Sequence, residues 1–210
     1  RIGNVGDPLD VPGVPLGFGS AGDRLRTDTV GEAEARAAGA LKPGCLGRFG
    51  RGRPSVRVKL AASLDGRTAL ADGQSQWITG AAARADVQQF RARSGAILTG
   101  ISTVLADDPR LDLRLPDATR QPLRVVLDSQ LRLAPTARIV AAPGSLLVLT
   151  VSEDEGRREA LLAAGVRVER LPPGPGGLDL GAALRFLAGL EVNELQVEAG
   201  ATLSGALLTA

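Results

Sequence analysis

Three closely spaced blocks hold side chains that a packed core would not choose. They are Lys59-Leu60-Ala61-Ala62-Ser63-Leu64-Asp65-Gly66-Arg67-Thr68, Ser75-Gln76-Trp77-Ile78-Thr79-Gly80 and Thr103-Val104-Leu105-Ala106-Asp107-Asp108-Pro109, and the middle one contains the only tryptophan of the chain. Lys59 interrupts an otherwise apolar strand pattern, where an unpaired charge is costly, so it either points outward or serves a site. Arg91 and Arg114 carry guanidinium forks that match a phosphate ester in two parallel charge-assisted bonds, although a single arginine is more commonly a solvated surface residue. Asp107-Asp108-Pro109 is equally a turn initiator. Val197-Glu198-Ala199-Gly200-Ala201-Thr202-Leu203-Ser204-Gly205 reads as strand, glycine-bearing turn and helix start, a place where backbone N–H groups face an anion. It lacks the Lys-Ser/Thr of a P-loop and the G-x-G-x-x-G spacing, and a plain helix cap would also explain Gly200 and Thr202.

The remaining composition narrows the chemistry. There is no histidine and one cysteine, Cys45. That excludes Ser-His-Asp and Cys-His catalysis, imidazole-bound zinc, a Cys-rich metal site and an internal disulfide. No metal is expected. An enzyme built from this chain must work with Lys, Arg, Asp, Glu, Ser and Thr, or take its hard step from a cofactor. Twenty-five basic and 23 acidic residues leave a net charge of +2, and no basic block interleaved with aromatics argues for nucleic acid. No apolar run reaches bilayer length and Asp7 and Asp10 stand where a signal peptide needs apolar residues, so a cytoplasmic protein with no membrane partner is expected. The absence of methionine is read as trimming or as a fragment.

These residues need a scaffold. Residues 1–28 are rich in Gly and Pro and read as coil, Thr29–Leu41 has a helical pattern, and Arg48–Arg53 reads as a basic linker. From Ser55 the chain alternates. Strands are expected at Ser55–Ala62, Ala96–Thr99, Leu123–Asp128, Ser145–Val151, Val166–Arg170 and Glu194–Glu198. Helices are expected at Ala81–Arg93, Glu153–Ala164, Leu180–Leu190 and Ala201–Ala210, with a Pro/Gly-rich loop at Leu171–Gly177. Strands apolar along their whole length, alternating with helices, imply the α/β class: a mostly parallel sheet with helices on both faces. In such sheets the ligand crevice lies beyond the carboxyl ends of the strands, which gathers the residues after Ala62, Thr99, Asp128 and Val197.

Taken together, KLAASLDGRTA (Lys59–Ala69), SQWITG (Ser75–Gly80), TVLADDPRLDLR (Thr103–Arg114), DSQLR (Asp128–Arg132) and VEAGATLSGALL (Val197–Leu208) resemble, in order and spacing, the reductase domain of the bacterial bifunctional riboflavin-biosynthesis deaminase/reductase. The resemblance covers residues 55–210. It implies a dihydrofolate-reductase-like fold, NADPH as hydride donor, and a phosphorylated pyrimidine substrate, 5-amino-6-(5-phosphoribosylamino)uracil, whose ribosyl chain becomes a ribityl chain. It implies cofactor contacts at Ala61, Trp77, Thr103, Asp107, Ser129 and the turn Gly200, Ala201, Thr202, Leu203, Ser204, Gly205 and Ala206. Substrate contacts fall on Ser75, Arg91, Leu111, Arg114 and Glu198, with Arg91 and Arg114 on the 5′-phosphate. Hydride would attack C1′ of the ring-opened sugar while Lys59 and Glu198 steady the charge change or relay a proton; Asp107 completes the catalytic set.

The family's zinc deaminase half is not matched. Residues 1–53 are therefore expected to be a remnant of its tail plus linker, poorly ordered, and residues 54–210 a reductase domain whose C-terminal strands are missing, leaving an open sheet edge. Deamination is not expected of this multifunctional-enzyme fragment, and pairing of reductase domains into a homo-oligomer is. The alternatives are a sister pyrimidine or folate reductase of the same fold and a catalytically silent NADP(H)-binding or assembly module.

Overall fold

Every residue from Ala96 to Thr99 and from Leu146 to Thr150 is buried, so both faces of these strands must be covered. The computed structural model describes residues 43–71, 75 and 78–209, all within one compact unit, Lys42–Ala210. The coil expected at residues 1–28 and the helix expected at Thr29–Leu41 lie outside them. The elements run α1 (Pro43–Arg51), β1 (Ser55–Lys59), α2 (Ala81–Arg93), β2 (Ala96–Gly100), α3 (Ile101–Asp107), β3 (Leu123–Leu127), α4 (Arg138–Ala141), β4 (Leu146–Thr150), α5 (Glu155–Ala163), β5 (Arg167–Arg170), β6 (Pro173–Gly174), β7 (Gly177–Leu178), α6 (Leu180–Gly189), β8 (Glu194–Glu198) and α7 (Ala201–Leu207).

Six strands form one sheet in the order β1-β8-β2-β3-β4-β5, and every pairing in it is parallel. Side chains alternate across it, as the pleat requires. Leu98, Val125, Leu127, Leu147, Leu149, Leu195 and Val197 enter a core closed by Leu184 and Leu187 of α6 and by Leu203 of α7. Ile97, Val126 and Val148 enter a second core with Ile101 and Val104 of α3, Ile139 of α4 and Leu161 of α5. Each fully buried leucine contributes about 1.5–3 kcal/mol relative to exposure, which suits a core with few aromatics. Aspartates start two of the covering helices: Asp154 accepts from the Arg157 N–H at 3.0 Å and Asp179 from that of Ala182 at 3.0 Å.

The fold class agrees with the sequence reading, and the differences are local. The stretch Arg48–Arg53 read as linker is helical up to Arg51: α1 is held by tertiary contacts, with Arg48 Nε donating to Asn193 Oδ1 at 2.7 Å. A Cβ on Gly44 would fall 2.7 Å from the Asn193 carbonyl oxygen, so only glycine allows that approach. β1 ends at Lys59 rather than Ala62. Helix α3 was not foreseen, because Asp107-Asp108-Pro109 marks its end while nothing polar caps its start. The Leu171–Gly177 loop contains the hairpin β6–β7. Gly177 has φ +134°, and a Cβ there would lie 2.5 Å from Ser129 Oγ, so glycine lets the hairpin close on the turn after β3.

Candidate active site

The last strand in sequence, β8, lies between β1 and β2, which brings four chain segments to one end of the sheet. Lys59 and Glu198 are register partners at the carboxyl ends of β1 and β8 and therefore share a face. Thr99 Oγ1 donates to the Glu198 carbonyl oxygen at 2.7 Å, tying the end of β2 to β8. Beyond these ends two cavities adjoin. One, of about 610 Å³, is lined by Lys59, Ala61, Ser75, Arg91, Thr103, Asp107, Leu111, Glu198, Gly200 and Ala201 among others. The other, of about 620 Å³, is lined by Thr103, Ser129, Gly200, Thr202, Leu203 and Ala206, with Arg132 and the hairpin residues Gly176 and Gly177. Ser102, Thr103, Ala199 and Gly200 belong to both walls.

The charged cavity contains a committed ion pair. Arg91, 7% exposed, donates from Nε to Glu198 Oε1 at 2.7 Å and from Nη2 to Oε2 at 2.8 Å, a bidentate fork. Its Nη1 donates to the Asp112 carbonyl oxygen at 2.7 Å. The expected pairing of Arg91 with Arg114 around a phosphate is thus modified: three of the five N–H groups of Arg91 are used inside the protein. Arg114 lines neither cavity; its guanidinium is solvent-facing, with Nε 3.7 Å from Asp112 Oδ1. Leu111, between these arginines in sequence, holds φ +51° while buried. Such a backbone costs about 1–3 kcal/mol and persists only where its surroundings impose it.

Electrostatics follow the same pairing. Burial works to raise the Asp112 carboxyl, but the hydrogen bond and charge of Arg110, aided by the charge of Arg114, leave it below the usual carboxylate range. Asp65, in the exposed turn after Ala62, is also lowered, by the Ser63 hydroxyl first and Arg67 second. That turn is preorganised: the Gly66 N–H donates to the Ser63 carbonyl at 2.9 Å and the Ser63 N–H to that of Arg67 at 2.9 Å.

Of the residues singled out in the sequence, Trp77 lies outside the described residues. Ser204 and Gly205 sit in α7 without lining either cavity; Ser204 is buried, its Oγ 3.4 Å from the Ala199 carbonyl oxygen. Helices α3 and α7 both begin at a glycine, so no cap side chain meets their first-turn N–H groups. The sequence reading missed Arg84, whose Nη1 donates to the Thr79 carbonyl at 2.6 Å and which lines the charged cavity. Arg84 precedes Arg91 by two helical turns, so helical periodicity would have placed the two on one face. No group of three or more His, Cys, Asp or Glu able to hold a metal occurs among the described residues, and none of their helices is long and apolar enough to cross a membrane.

Residues 54–210 match the family model described as the RibD C-terminal domain, and the chain belongs to that family. It is 47% identical over 182 residues to the riboflavin biosynthesis protein RibD of Escherichia coli strain K12, covering 81% of this chain and 48% of that protein. Among solved structures it resembles Acinetobacter baumannii RibD, with 42% identity and a TM-score of 0.71 over 83% of this chain and 48% of that one. A deaminase/5-amino-6-(5-phosphoribosylamino)uracil reductase from Thermotoga maritima matches at 28% identity and a TM-score of 0.63 over 79% of this chain and 44% of that one. The chain spans about half the length of the curated relatives it matches. The dihydrofolate-reductase-like α/β fold implied by the sequence resemblance is the one these relatives share.

Proposed function

We propose that this chain is the reductase part of a riboflavin-biosynthesis protein: it reduces the ribosyl chain of 5-amino-6-(5-phosphoribosylamino)uracil to a ribityl chain with NADPH. The observation that carries the reading is the pair of adjoining cavities at the carboxyl ends of the strands, joined at Thr103 and Gly200, in a chain belonging to the RibD C-terminal domain family. A dinucleotide is long and carries two chemically different ends, and the two cavities differ in the same sense. The glycine-walled one, with the Ser129 and Thr202 hydroxyls and Arg132, suits a phosphorylated adenosine end. The charged one, with Ala61 and Asp107 beside the substrate candidates, suits the nicotinamide end.

When bound, NADPH supplies the hydride. The chain binds and orients: Thr103 and Gly200 at the junction, Ser129, Thr202, Leu203 and Ala206 on one side, Ala61 and Asp107 on the other. On the substrate side Ser75, Leu111 and Arg91, which keeps two N–H groups unbonded, line the void, and Glu198 fixes Arg91. Lys59 is the group placed to steady developing charge or move a proton, since the Glu198 carboxylate is already bridged by Arg91 on both oxygens. Orientation and electrostatics are the contributions expected of a protein whose cofactor carries the redox step.

Titrating NADPH while following the fluorescence of Trp77, the only tryptophan, tests the cofactor half. A saturable change is expected, together with NADPH oxidation that requires the phosphoribosylaminouracil. Saturable binding without oxidation would leave a silent binding module and defeat the reductase reading.

A further inference from the structure

Asp112 is a buried carboxylate with the guanidinium groups of Arg110 and Arg114 beside it, and the roles assigned above leave it without one. The residue is 3% exposed. Its Oδ2 accepts from Arg110 Nε at 3.0 Å and lies 2.9 Å from Arg110 Nη2. Its Oδ1 is buried and has no hydrogen-bond partner, and Arg114 Nε stands 3.7 Å away, just outside hydrogen-bonding reach. Burying a charged oxygen and leaving it half-satisfied is a poor route to stability.

The arrangement makes sense as orientation. Arg110 engages the carboxylate side-on through Nε and Nη2, which leaves its Nη1 on the far side of the planar guanidinium, while Arg114 approaches the same carboxylate with its Nε. Their side chains are 42% and 64% exposed. The backbone between them is not free to adjust. Gln121 holds Leu113 on both sides, accepting from its N–H at 2.8 Å and donating to its carbonyl at 2.9 Å. Gln88 Oε1 accepts from the Arg114 N–H at 2.9 Å. Two guanidinium groups against one carboxylate leave an excess positive charge beside Leu111, which lines the charged cavity.

We infer that Asp112 is the positioning residue of an anion clamp, in which Arg110 joins Arg114 in taking the phosphate of a phosphorylated sugar. The identity of that sugar as part of the pyrimidine substrate rests on the reading above. A phosphate drawn onto the outward N–H groups brings Arg114 Nε within reach of Oδ1, so anion binding and satisfaction of the buried oxygen reinforce each other. Arg91, whose Nη1 is held by the Asp112 carbonyl, joins the same hub through the backbone.

Calorimetric titration of the whole chain with ribose 5-phosphate, beside steady-state kinetics with NADPH, tests this. Arg110→Gln and Asp112→Asn are each expected to weaken ribose 5-phosphate about tenfold, the scale of one lost charge-assisted bond. The double variant should be little worse than either single one, because both break the same clamp. KM for the phosphorylated substrate should rise while that for NADPH stays; Arg110→Gln also takes the partner from a buried carboxylate, so its thermal midpoint should fall, and the split between the two KM values is what separates a clamp from a purely structural pair. Unaltered ribose 5-phosphate affinity in Arg110→Gln overturns the clamp, as does failure of the unsubstituted chain to bind the probe. Clamp-dependent binding without any NADPH oxidation supports the clamp and removes the reductase reading instead.

Discussion

Two buried arginines, Arg91 in the crevice and Arg124 at the other end of the sheet, are 7% and 1% exposed and do different work. Arg124, near the start of β3, hydrogen-bonds backbone carbonyls: Nη1 reaches that of Ile139, and Nη2 those of Ala142 at 2.9 Å and Gly144 at 2.7 Å. It lines neither cavity. Burial pulls its guanidinium below the usual range, with the charge of Asp112 opposing. Arg91 instead meets a carboxylate at the carboxyl end of β8 and borders open space. A guanidinium spent on carbonyls ties a connection to the sheet; one spent on a carboxylate beside a void stays available to a ligand. Burial alone does not separate the two. The identity of the acceptors and the neighbouring space do.

The largest expected effect tests the structural half of this contrast. Arg124→Met strands buried carbonyls of the α4 turn and should cost about 3–5 kcal/mol in urea unfolding. A loss below about 1 kcal/mol would show that the turn does not need its arginine. Glu198→Gln comes next and tests the other half. Without the carboxylate, Arg91 loses its fork, so KM for the phosphorylated pyrimidine should rise about 10–100-fold with a smaller change for NADPH. Equal effects on the two would make the Arg91 pair as structural as the Arg124 clamp.

The smallest effect concerns Asp112, whose carbonyl holds Arg91 and whose charge acts on Arg124. Its folded pKa is lowered below the ordinary value of 3.8, so its ionised form stabilises the fold above that value and the contribution fades as pH falls through the lower folded one. The stability gap between the unsubstituted chain and Asp112→Asn should therefore be steady near neutrality and narrow below about pH 3.8. A gap unchanged down to about pH 2 would separate Asp112 from both arginines.

The strands β2 and β4 were legible because continuous apolar runs bounded by polar turns admit few other structures, whereas β3 and β8 carry Arg124 and Gln196 inside shorter apolar stretches. Lys59 stood out for the same reason, as a charge with no place in such a run. Helix α1 was not legible: Gly44, Gly47 and Gly50 argue against a helix, and the contacts that hold it come from Asn193, far along the chain. The Arg91–Glu198 fork joins residues 107 positions apart, and no local pattern marks which carboxylate will face which guanidinium. Arg91 and Arg114, grouped by residue type, have opposite environments, one buried and bridged, the other exposed beside Asp112.

The order of residues by itself determined the α/β class, the chain segments that meet at the crevice and the family, because each depends on periodicity and short-range spacing. Only the tertiary structure decided which charges neutralise one another and which keep N–H groups for a ligand. The reason is that inserting β8 between β1 and β2 sets distances of a few ångströms between groups the chain holds far apart, and electrostatic pairing depends on those distances.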